Sequence, residues 1–89
     1  MWSKEKIQSV IQGALAGAQI TVTDLTGTSD HFQVLIVTDE FEGLSSIQRH
    51  RKVYDILGSD VGGAIHALSL KTYTHQQWKK IHEEVQNHG

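Results

Sequence analysis

Apolar residues along this 89-residue chain recur at two different periods, and the places where the period changes mark out its architecture. Ile7, Val10, Ile11, Ala14 and Leu15 stand at i, i+3, i+4, i+7 and i+8, the stripe of an amphipathic helix. Ser3 is placed to cap it, Glu5 lies in its first turn, and Gly17 is a natural stop. The period then falls to two. Ile20 and Val22 alternate with Thr21 and Thr23 in a strand running to Leu25, and after the turn residues Gly27-Thr28-Ser29-Asp30 a second strand runs from His31 to Thr38. Phe32, Val34 and Ile36 share one face of that strand, and the short loop predicts an antiparallel hairpin.

A second turn over Asp39–Gly43 leads into a helix expected from about Leu44 to Leu57 and ended by Gly58. On a helical wheel Leu44, Ile47, His50, Val53, Tyr54 and Leu57 form the apolar arc, Arg49 and Lys52 point away from it, and Arg51 lies at its border. A glycine-containing connection, Ser59–Ala64, precedes a third strand over Ile65–Tyr73. Thr74 and Gln77 have capping-box spacing and open a last helix carrying Trp78, Ile81 and Val85. The order α-β-β-α-β-α, with no repeat and no linker, predicts one α+β domain over residues 1–89. Its three-stranded sheet would carry the helices on one face.

Composition narrows the function classes. A formal net charge of −2 is unlike the basic field with which most nucleic-acid-binding proteins neutralise phosphates. The chain has no cysteine, which removes disulfides, thiolate catalysis and any cluster held by its own sulfurs. No apolar run approaches the ~18–20 residues of a membrane span. The start MWSKEKIQSV lacks a secretory h-region, so the expectation is a cytoplasmic protein or a mature organellar one, monomeric when free.

The chemistry-bearing residues are few. The carboxylates are scattered, none paired with a nucleophile, so the chain does not read as an enzyme. His75, His82 and His88 show no zinc-site spacing. His50 falls on the apolar arc and is expected to be a buried, hydrogen-bonded core histidine. Arg49, Arg51 and Lys52 form a basic patch, read either as a surface for an acidic partner or phosphates or as a solvated helix face. His66 shares strand parity with Leu68 and Leu70 but stands at the strand entrance beside the Gly62–Gly63 loop. There it could offer a ring nitrogen to a metal or pack at the sheet margin.

Two stretches, FEGLSSIQRHRKVY over Phe41–Tyr54 and IHALSLKTYTHQQW over Ile65–Trp78, resemble the BolA family closely in order and spacing. The likeness spans roughly residues 5 to 80. It implies a fold like the type II K-homology domain. It also implies that the histidine of Ile-His-Ala, here His66, is a ligand to a 2Fe-2S cluster shared with a monothiol glutaredoxin of the CGFS type, glutathione supplying a further sulfur. The family's second ligand, a cysteine or histidine, comes from the loop between the first two strands. Here Thr26–Asp30 contains neither, Thr28 stands about where a cysteine would be, and His31 is the nearby imidazole, a second candidate ligand.

Two functions of different classes follow. The first is a partner-binding adaptor in iron–sulfur cluster assembly, trafficking or iron-status regulation, holding no cluster when isolated. The second is a DNA- or RNA-binding transcriptional regulator using Arg49, Arg51 and Lys52 on a K-homology-like fold. Against the second stand the acidic balance and the lack of a Gly-x-x-Gly backbone clamp.

Overall fold

A computed structural model describes residues 2–27, 31–58 and 67–87 of the chain. Among them lie three α-helices and three strands in the expected order: α1 (Lys4–Ala14), β1 (Gln19–Asp24), β2 (His31–Val37), α2 (Ser46–Leu57), β3 (Ala67–Tyr73) and α3 (His75–Asn87). One 3-10 turn, Asp39–Phe41, precedes α2. The protein is α+β, and its sheet has the order β1-β2-β3. β1 and β2 form the expected antiparallel hairpin, Gln19 opposite Val37 and Asp24 opposite Phe32. β2 and β3 are parallel, which a tight turn cannot achieve, and α2 supplies the crossover.

The helices begin where side chains satisfy their free amides. Ser3 Oγ accepts from the Lys6 N–H at α1. Ser45 and Gln48 form a full capping box at α2, and Thr74 and Gln77 form one at α3. The α2 box fixes the cap at Ser45, so the helix starts at Ser46 rather than at the expected Leu44. Leu44 instead packs against the core from just outside the helix. At the far end Gly58 takes φ 78° and ψ −157°, a conformation essentially reserved to glycine, and turns the chain off α2.

The core lies between α1, α2 and one face of the sheet. Ile7, Ile11 and Leu15 of the first stripe meet Phe32, Val34 and Ile36 of β2, with Val53 and Leu57 closing from α2. Ala14, expected in the stripe, is exposed. On the opposite sheet face Thr21, Thr23, Ser69 and Lys71 are exposed. The period-two alternation of β1 and β2 is therefore a true one-sided burial pattern.

Candidate functional site

The parallel pairing of β2 and β3 decides where the candidate ligands lie. His31 is the first residue of β2 and is exposed, and its register partner is Ala67, the first residue of β3. Both strands therefore start at the same end of the sheet. His66, which precedes Ala67 in the chain, lies outside the described residues, as do Thr28 and His88. No group of three His, Cys, Asp or Glu side chains able to hold a metal occurs among the described residues.

The basic patch does not form as the helical wheel predicts. Arg49 is buried, with 8% of its surface exposed, while Arg51 is exposed and Lys52 half-buried. The Arg49 guanidinium donates from Nε to Leu44 O at 3.0 Å, and from Nη1 to Thr72 O at 3.3 Å and Gln77 Oε1 at 2.9 Å. It also stands 5.7 Å from the centroid of the buried Phe41 ring. It is thus a structural cation tying α2 to β3 and α3, and the reading of it as one of three surface cations is corrected.

The cause is a rotation of α2. Its buried line is Arg49, Val53 and Leu57, turned by roughly 70° from the arc predicted on apolarity alone, at 100° per residue. Ile47 is consequently 66% exposed and Tyr54 38% exposed. His50 is half-buried rather than enclosed in the core. A wheel that scores arginine as solvent-seeking cannot anticipate this, because a long guanidinium stem packs like a hydrophobe when its head finds acceptors. The Ser45-x-x-Gln48 signature was the available signal. It makes Arg49 the fourth helical residue, the position whose side chain reaches back to the residue before the cap, here Leu44.

Beside this tie, α3 begins at a crowded junction. Asp39 Oδ1 accepts from the His75 backbone N–H at 3.3 Å and lies 3.1 Å from His75 Nδ1. Trp78 is half-buried, its ring centroid 5.4 Å from that of Tyr73 and 4.4 Å from that of His82. An open groove lies between α2 and α3, with Ser46 and Arg49 on one side and Gln77, Lys80 and Ile81 on the other.

The family model of BolA-like proteins matches residues 11–77. The chain belongs to the BolA-like family. It is 30% identical over 92 residues to the DNA-binding transcriptional regulator BolA of Escherichia coli, a match covering 96% of this chain and 88% of that protein. It is 44% identical over 54 residues to human BolA-like protein 1, covering 61% of this chain but only 39% of the human protein. Among solved structures, a Bol-like protein from Babesia bovis superposes with a TM-score of 0.81 at 28% identity, covering 92% of this chain and 95% of that one. These relatives carry the names of a regulator and of BolA-like proteins, and none is named as an enzyme. Among the described residues no helix is long and apolar enough to cross a membrane.

Proposed function

We propose that this BolA-like chain is an adaptor that docks on a monothiol glutaredoxin and shares a 2Fe-2S cluster with it, His66 providing an imidazole and His31 a second. The observation that carries this reading is the parallel register of His31 with Ala67. His66 is joined to Ala67 by one peptide bond, which holds consecutive Cα atoms about 3.8 Å apart. Neighbouring strands lie about 4.8 Å apart. Ala67, the residue joined to His66, therefore lies beside His31 on the neighbouring strand, although the two stand 36 positions apart in sequence.

The donor set fits a shared site and not a private one. Without cysteine the chain offers only neutral nitrogen donors here, so the thiolates must come from the partner and from glutathione. Replacing thiolate by imidazole raises the reduction potential of such a centre, as it does in Rieske-type sites. That would distinguish the mixed complex from a glutaredoxin homodimer, suiting delivery of the cluster or reporting of iron status in the cytoplasm or an organelle.

Anaerobic co-purification with a monothiol glutaredoxin and glutathione, followed by visible absorbance and circular dichroism, tests the reading. His66→Ala should keep the fold and return the mixed-complex spectrum to that of the homodimer, with a smaller effect for His31→Ala. A mixed-complex spectrum unchanged by His66→Ala would remove the cluster role and leave a partner-binding module.

The name of the Escherichia coli relative favours a second reading, a DNA-binding regulator. With Arg49 withdrawn into the fold, Arg51 and Lys52 are what remains of the helix patch, on a chain of net charge −2. Binding of duplex DNA that weakens steeply with salt would establish this alternative.

A further inference from the structure

The acceptors that hold Arg49 are all neutral: the carbonyls of Leu44 and Thr72 and the amide oxygen of Gln77. Among the described residues no carboxylate pairs with this nine-tenths-buried cation. Burying a charge without a counter-charge is costly, and the nearby Phe41 ring offsets only part of that. The three bonds use Nε and Nη1 and leave Nη2 over. Every fully enclosed side-chain nitrogen or oxygen among the described residues has a partner, so Nη2 must reach the surface. Arg49 also lines the groove between α2 and α3.

Among the described residues that line it, the groove carries one sign of charge: Lys80 and Arg49 with no carboxylate, while Ser46 and Gln77 bring to it the first turns of two helices, whose amide ends favour negative charge. Its walls are apolar, from Tyr73 and Ile81, and the 66%-exposed Ile47 follows Ser46 in the chain.

We propose that this groove is a docking site for an acidic segment of a partner protein, a Glu or Asp carboxylate reaching Arg49 Nη2 and Lys80 while the aliphatic stem lies on Tyr73 and Ile81. The carboxylate supplies the counter-charge that Arg49 lacks. An arginine already fixed by three hydrogen bonds loses little further freedom on binding. A free inorganic anion would leave the apolar walls unused. A nucleic-acid backbone needs a row of exposed cations, whereas the fixed cation here is recessed. The proposal does not rest on the cluster reading, since none of its residues is a candidate ligand.

Amide and arginine side-chain NMR of the isotope-labelled full chain tests it, at about 0.1 M salt to screen diffuse attraction. The probe is acetyl-tetraglutamate amide, with acetyl-tetraglutamine amide and potassium phosphate as controls. The expected result is a shift of the Arg49 Nε–H and of the Ser46, Gln77 and Lys80 amides with the acidic peptide alone. Lys80→Glu, a change at an exposed position, should weaken binding by about tenfold or more without altering the thermal melt. Three results would overturn the proposal: a silent groove, an equal response to phosphate, or peptide shifts centred elsewhere and indifferent to Lys80→Glu.

Discussion

Gln77 Oε1 accepts two hydrogen bonds of 2.9 Å, one from Arg49 Nη1 on α2 and one from the Thr74 backbone N–H at the start of α3. A single amide oxygen thus closes the capping box of the last helix and ties that helix to the middle one. The two residues are 28 apart in sequence. A double-mutant cycle with Arg49→Ala and Gln77→Ala should return a coupling energy of about 1.5–3 kcal/mol, the range for a hydrogen bond to a charged group. Coupling near zero in urea melts would mean that the bond contributes nothing to stability.

Arg49 and Arg51 should behave as different kinds of residue. Arg49→Ala removes three part-buried hydrogen bonds together with a buried side chain, at a cost of about 2–4 kcal/mol. Arg51→Ala, on the exposed side of α2, should stay within about 0.5 kcal/mol of the parent. Chemical denaturation of both variants gives the ordering, and equal midpoints would restore Arg49 to the surface.

Gly58 offers a test of backbone geometry. A Cβ built there meets nothing within 4 Å among the described residues, yet φ 78° with ψ −157° is a conformation other residues avoid. Gly58→Ala should therefore cost about 1–3 kcal/mol. Gly58→Asn should not recover the loss, because asparagine tolerates the left-handed helical region and not this one. Recovery by asparagine, read from the thermal midpoint, would place the residue in the left-handed region instead.

Trp78 is half-buried between Tyr73 and His82, so Trp78→Ala should cost about 2 kcal/mol, below the ~3–5 kcal/mol of a fully enclosed ring. A loss at or above the upper figure in urea melts would show that α3 depends on this ring more than its exposure implies.

The isolated chain should hold no stable cluster. It has no cysteine, and its described residues contain no group of three metal-ligating side chains. Iron and sulfide analysis after anaerobic reconstitution checks this, and a stoichiometric cluster on the chain alone would contradict the adaptor reading.

The sequence by itself determined the element order, the hairpin and the faces of β1 and β2, because period-two alternation is a local code that a one-sided sheet reads directly. It also determined the start of α3, since Thr74 and Gln77 interact within one turn. It failed on the rotation of α2. Apolarity placed Ile47 and Tyr54 inward and Arg49 outward, and the fold reverses this because Thr72 and Gln77, distant in sequence, supply the acceptors that make a buried guanidinium tolerable. The His31–Ala67 register was likewise beyond local reading. Parallel pairing joins strands through a crossover whose path depends on how α2 packs, and only that packing brings the two strand starts to one end of the sheet.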